Sequence, residues 1–204
     1  MYSELDQYIR DRELEFPDIP ESRKKQLQEV AAFIRERKKS GKYVKLNFIC
    51  THNSRRSHLS QIWTSTAADY YDLNGIQTFS GGTEATAFNP RAVAAIERAG
   101  FRVENPEGEN PKYRVYNDDH SDPMICFSKK FGDPFNPQED FAAIMTCSDA
   151  DENCPFVPGA TQRYSITYID PKESDGTPQE SEKYDERCRQ IAREMLFMLK
   201  SATV

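Results

Sequence analysis

"FICTHNSRRS", residues 48–57, carries the reading of the whole chain. An apolar, β-rich run, "YVKLNFI" at 43–49, leads into Cys50. Leu59, Ile62, Trp63 and Ala67 then follow at helical spacing through residues 56–71. The five residues between Cys50 and Arg56 must therefore turn a buried strand into a helix. Such a turn points backbone N–H groups at one spot, and the helix behind it adds its positive N-terminal dipole. Arg56 can fork onto two oxygens of a tetrahedral oxyanion. The same positive field favours a thiolate at Cys50, and Ser57 can donate a hydrogen bond to that sulfur. The stretch reads as an oxyanion cradle with a nucleophile at its centre.

The segments around it repeat the strand–helix alternation. "GIQTFSGG" (75–82) reads as a second strand ending in two glycines, and "NPRAVAAIERAG" (89–100) as a helix with Pro90 at its first position and Gly100 at its end. "FAAIMTC" (141–147) and "RYSITYID" (163–170) read as a third and a fourth strand, and 178–200 as a long amphipathic helix with Cys188 on its buried side. Alternation of this kind predicts an α/β domain with a mostly parallel sheet and helices on both faces. Ahead of it, residues 1–41 form a helical extension: Ser3 is the expected N-cap of a first helix. A second helix, closed by Ser40-Gly41, shows Leu27, Val30, Ala31 and Ile34 on one face, for packing on a neighbouring core. The domain proper spans 42–204. Its proline-rich stretch at about 104–140 reads as an inserted hairpin of "KYRVY" and "MICFS", in which Cys126 is inert.

The bulk numbers fit. A chain of 204 residues buries roughly 70% of its unfolded surface. Net charge is −6, with mean hydropathy −0.79 and pI about 5.2. That balance argues against nucleic acid as a partner of the whole chain. No run approaches the ~18 apolar residues of a membrane helix, and the charged start shows no signal-peptide core. A cytoplasmic protein with no membrane partner is expected. Its five cysteines, an odd and unevenly spaced set, read as reactive or buried thiols.

Two further constellations carry chemistry. In "TCSDADENCPFVPG" (146–159), Cys147 ends a strand and Cys154 follows seven positions later, past an acidic segment. The spacing is poor for zinc. It suits two thiols that bridge when the segment rearranges, or simply one buried and one loop cysteine. In Asp170-Pro171 a carboxylate at a strand end is a candidate general acid, or a turn signal. Cys50, Cys147 and Asp170 all fall at C-terminal ends of expected strands, the edge where ligands bind in open α/β sheets.

"CTHNSRRS", "TFSGGTEATAFNPRAVAAIERAG", "MTCSDADENCP" and "YIDP" occur in an order that resembles the thioredoxin-coupled arsenate reductases, which share the low-molecular-weight protein tyrosine phosphatase fold. The resemblance covers most of residues 43–171 and implies a four-stranded parallel sheet in the order 2-1-3-4. By it, Cys50 is the nucleophile, and Thr51, His52, Asn53, Ser54, Arg55, Arg56 and Ser57 form the oxyanion loop. Asp170 protonates the leaving oxygen. Cys147 resolves the Cys50 adduct and Cys154 takes over the disulfide, for reduction by a thioredoxin-like partner. No cofactor or metal is implied: Gln61 stands where some relatives carry a potassium-binding Glu. His52 stands where the family usually has Gly, and Arg55 where a second loop cysteine is common. The extension and the insert have no counterpart. Two other readings remain: a phosphatase acting through a Cys50 thiophosphate, and a non-enzymatic thiol sensor or oxyanion-binding protein. The absence of aromatics in "DPKESDG" weighs against a phosphotyrosine substrate.

Overall fold

The computed structural model describes residues 1–203, so Val204, the last position of the expected domain, lies outside the described residues. Two helices come first, α1 (Ser3–Leu14) and α2 (Glu21–Lys39), and then β1 (Val44–Cys50), α3 (Arg56–Tyr70), β2 (Ile76–Gly82) and α4 (Pro90–Arg98). Three short strands follow, β3 (Arg102–Glu104), β4 (Tyr113–Tyr116) and β5 (Met124–Cys126). The chain closes with β6 (Phe141–Met145), α5 (Ser148–Asn153), β7 (Ala160–Ser165) and α6 (Glu180–Ala202).

The main sheet runs β2-β1-β6-β7, all parallel. Counting only these four strands, that is the order 2-1-3-4 implied by the motifs. Both faces of the central strands are apolar, as a doubly covered parallel sheet requires. Leu46, Phe48, Ala142 and Ile144 point into the larger core, with residues of α1, α2, α3, α4 and α6. Ile49, Ala143 and Met145 point the other way, into a smaller cluster with Cys50, Cys147, Ala150 and Val157, against which Phe131 of the insert packs. The heavy helical layer and the light one thus meet the sheet from opposite sides, and Cys50 belongs to the light one.

Local chemistry accounts for the elements. Asn89 Oδ1 accepts from the Arg91 N–H at 2.9 Å and caps α4, with Pro90 pre-set at its first position. Three cations, Arg37, Lys38 and Lys39, sit in the last turn of α2, where the dipole favours them. Gly81 and Gly82 end β2 because there is no room for a Cβ. At Gly81 it would strike the Phe131 backbone, and at Gly82 it would lie 2.6 Å from the Thr51 carbonyl oxygen.

Four sequence expectations are corrected. Ser3 is the first residue of α1 and not its cap; Tyr2 occupies that position with no side-chain bond. The fourth strand is Ala160–Ser165, earlier than 163–170. Asp170 therefore lies beyond it, ahead of a 3-10 turn at Pro171–Ser174, because the partner strand ends at Met145, opposite Ser165. Cys147 follows its strand by two residues and caps α5. The insert is a three-stranded antiparallel sheet, β3-β4-β5. Arg102–Glu104, too short to show a period, adds the extra strand to the expected hairpin.

Candidate active site

The loop 51–55 hangs between β1 and α3 by its carbonyls. Cys50 O accepts from Thr83 N at 3.1 Å, Thr51 O from Glu84 N at 2.8 Å, and Ser54 O from Asn89 N at 2.9 Å. His52 O accepts from Ser128 Oγ at 3.0 Å and Thr86 Oγ1 at 3.2 Å. Among the described residues, none of the N–H groups of residues 51–55 donates to a protein acceptor. Carbonyls tied outward and amides left free make a concavity with the polarity an anion needs.

The insert is the loop's outer wall. Lys129 N donates to Asn53 Oδ1 at 2.9 Å, and Asn53 Nδ2 donates to Ser57 Oγ at 2.9 Å. Asn53 is held at φ 44, a left-handed conformation that Asn tolerates better than most residues. Gly82 N bonds Lys129 O at 2.9 Å and Phe131 N bonds Gly82 O at 2.9 Å, so residues 129–131 run along the end of β2. Sequence reasoning missed this clamp. Its partners lie dozens of positions apart and no local pattern marks them.

Cys50 is 3% exposed and shares a hydrogen bond with Ser57 Oγ at 3.1 Å. Arg56 is buried too, at 9% exposure. Its Nη2 donates to Asp170 Oδ2 at 2.6 Å and its Nη1 to the Tyr168 carbonyl at 3.0 Å. The cradle's arginine and the expected acid are thus partners. Asp170 Oδ1 also accepts from Lys172 N at 3.1 Å, which fixes the carboxylate over the turn. Thr51 Oγ1 lies 3.4 Å from Cys147 Sγ, which also accepts from Ala150 N at 3.4 Å. Cys154 is half-buried at the far end of α5. All five cysteines are free thiols.

Other loop side chains point away. Arg55 Nε donates to Tyr184 Oη at 2.7 Å and Ser54 Oγ to the Ala87 carbonyl at 2.7 Å, leaving these residues only their amides for an anion. His52 reaches outward, its Nε2 3.5 Å from Glu84. Gln61 Nε2 donates to the Thr78 carbonyl at 3.2 Å. His58, just past the loop, is fully buried against Phe88, and that burial holds its pKa well below the usual histidine range. It stands neutral, with Nδ1 3.2 Å from Ser80 Oγ. Among the described residues no group of three or more His, Cys, Asp or Glu side chains is arranged to hold a metal ion. No helix there is long and apolar enough to cross a membrane.

A cavity of about 460 Å³ opens beside Asp170, lined by Ile169, Pro171, Glu173, Lys183 and Arg187 among others, with no aromatic wall.

This combination of parallel sheet, strand–cysteine–loop–helix and trailing Asp-Pro defines the low molecular weight phosphatase class of fold. Solved structures agree. A low molecular weight phosphotyrosine phosphatase from Vibrio cholerae O395 superposes with TM-score 0.54 at 16% identity, over 78% of this chain and 97% of that one. A low molecular weight protein tyrosine phosphatase from T. tengcongensis gives 0.53 at 13%, over 77% and 98%.

In sequence, the similarity is to proteins named arsenate reductase. That of Bacillus licheniformis is 27% identical over 143 residues, 70% of this chain and 84% of the relative. "Arsenate reductase 2" of Staphylococcus epidermidis RP62A is 29% identical over 125 residues, 61% of this chain and 76% of the relative. No family model matches. The two comparisons agree with the resemblance carried by the motifs.

Proposed function

We propose that this enzyme reduces arsenate to arsenite through Cys50, Cys147 and Cys154, with a thioredoxin-like protein in a reducing cytoplasm as the final donor. The observation that carries the reading is a second thiol beside the nucleophile. Thr51, the residue after Cys50, contacts Cys147 Sγ at 3.4 Å, and both cysteines belong to one small buried cluster. Hydrolysis of a phosphoester needs one thiol; reduction needs a second in reach of the first. The sequence similarity to proteins named arsenate reductase supports the same reading.

The chemistry runs in thiol-exchange steps. Arsenate enters the loop of free amides and Arg56 turns from Asp170 onto its oxygens. That move frees the Asp170 carboxylate to take a proton from the arsenate or the Cys50 thiol and pass it to the oxygen that leaves as water when Cys50 sulfur bonds arsenic. Cys147 thiolate then attacks Cys50 sulfur. The new S–S bond forms, the S–As electron pair passes to arsenic, and arsenite departs two electrons richer. Cys154 attacks Cys147, Cys50 leaves as a thiolate, and the Cys147–Cys154 bond awaits the external dithiol.

A phosphatase reading through Cys50 is favoured by the fold and by the Asp170–Arg56 pair. No aromatic side chain lines the cavity beside Asp170, so nothing there would stack on the ring of a phosphotyrosine. Single-turnover reaction of the fully reduced chain with arsenate tests the proposal. Arsenite release with loss of two thiols, mapped to Cys147 and Cys154, is expected. Hydrolysis of p-nitrophenyl phosphate without any arsenite release would overturn the relay.

A further inference from the structure

Cys147 and Cys154 cap opposite ends of α5. With ~1.5 Å of rise per residue their Cα atoms stand about 10 Å apart along the axis. A disulfide tolerates no more than about 7 Å. Cys154 cannot reach Cys147 until α5 unwinds.

A helix of six residues does not persist by itself, so tertiary contacts decide when it lets go. One side chain supplies several of them. Arg163, on β7, donates from Nη2 to the Asp151 carbonyl at 2.6 Å and from Nε to the Cys154 carbonyl at 3.2 Å. These are last-turn and C-cap acceptors that the helix itself leaves orphaned. The same guanidinium pairs with the Asp151 carboxylate at 2.6 Å, and the other carboxylate oxygen accepts from Ser165 Oγ at 2.6 Å. Positions 163 and 165, half-buried on one face of the strand, thereby fasten a short helix to the main sheet.

We propose that Arg163 is the latch that governs transfer of the disulfide to Cys154. The role rests on the relay reading above and is one of positioning, since Arg163 touches no reacting atom. With the clasp closed, the Cys154 backbone is bound to the strand and Cys147 stays available to Cys50. With it open, α5 unwinds and Cys154 thiolate attacks Cys147 sulfur. The Cys147–Cys154 bond forms, the Cys50–Cys147 bond breaks, and Cys50 leaves with the electron pair. The Cys154 proton goes to solvent and no net electrons move. The latch orders the steps by keeping Cys147 from being consumed by Cys154 and an ambient oxidant before arsenic has bound.

The test uses the reduced full chain in a glutathione/glutathione disulfide buffer. One thiolate attacks glutathione disulfide and releases a glutathione; the second thiol resolves the mixed disulfide and releases another. Samples are quenched with acid, alkylated, and the Cys147–Cys154 bond is quantified by peptide mass spectrometry. Arg163→Ala should form that bond roughly tenfold faster, the scale of a lost charge-assisted clasp. Arg163→Lys, which keeps the charge and loses the fork, should fall between. Cys126 and Cys188, fully buried elsewhere, should stay as unreactive as in the parent. Equal rates in parent and variants overturn the latch and leave the relay standing. Acceleration accompanied by alkylation of Cys126 and Cys188 assigns Arg163 a general structural role and overturns it too. Absence of the bond in every form overturns the relay reading and the latch together.

Discussion

Cys147 separates the two chemistries open to this cradle. It touches the loop through Thr51 but is no part of it. Cys147→Ser should abolish arsenite production and leave Cys50-dependent ester hydrolysis within about twofold, because a hydroxyl keeps the packing and cannot resolve a sulfur adduct. Assaying both reactions on one preparation checks this; parallel loss of the two would count against the relay. Lys129 makes a different prediction. Its ammonium sits 4.6 Å from the Phe127 ring and 5.4 Å from that of Phe135, is 3% exposed, and is pushed down to about 8 by burial. The unfolded chain keeps a lysine protonated to ~10.4. Between those values the unfolded state binds more protons, so this group adds stability as pH rises from 8 to 10.4 and costs stability below 8. Lys129→Met should therefore stabilise the protein at pH 7, by on the order of 2 kcal/mol, with the gain fading toward pH 10.4. Its backbone bonds to Asn53 and Gly82 are kept in the variant. Comparing urea unfolding of variant and parent at each pH cancels other titrations, such as that of Cys126, pushed up to about 12 by burial.

At the scale of elements, β1, the loop and α3 form one rigid unit buttressed from two sides. α4 is one buttress: Asn89 caps it with its side chain and, through its own N–H, holds the Ser54 carbonyl at 2.9 Å. Asn89→Ala removes only the cap bond and should cost about 1 kcal/mol in urea denaturation. The insert is the other buttress, and α5 is the element near the site with the least packing behind it. The contrast has a simple origin. α3 runs 15 residues and is packed along most of its length, whereas α5 runs six and buries only Ala150. Low local stability of this kind is what the proposed relay requires of α5.

Across the whole molecule the N-terminal helices are wall and not ornament. Leu5 and Ile9 of α1 and Leu27, Val30 and Ile34 of α2 are fully buried in the same core as α3 and α6. Tyr8 stacks on Trp63, the only tryptophan, at 5.4 Å. Each such side chain contributes about 1.5–3 kcal/mol by burial. Removing residues 1–41 should strip the α6 face, shift Trp63 fluorescence to the red and lower the unfolding midpoint markedly. Unchanged emission in the truncated chain would show that the α/β body holds its core alone.

The sequence by itself determined the strands of the parallel sheet and the strand–loop–helix unit around Cys50. Their signals are local: an apolar strand, a turn, a helical stripe, an Asn-Pro start, a terminal Gly. It also marked Cys147 and Cys154 as neighbours, since they are close in the chain. What it left unread depends on partners far apart in the chain, such as Arg56 with Asp170 or Lys129 with Asn53. Arg163 is nearer to Asp151, yet its role needs the strand and helix to be docked first. A contact of that kind has no period and no cap chemistry to announce it. Only the folded chain decides that the insert walls the loop, that the arginine of the cradle holds Asp170, and that Cys154 is tied down. Those arrangements minimise unpaired polar groups in three dimensions, a condition that no single stretch of sequence can express.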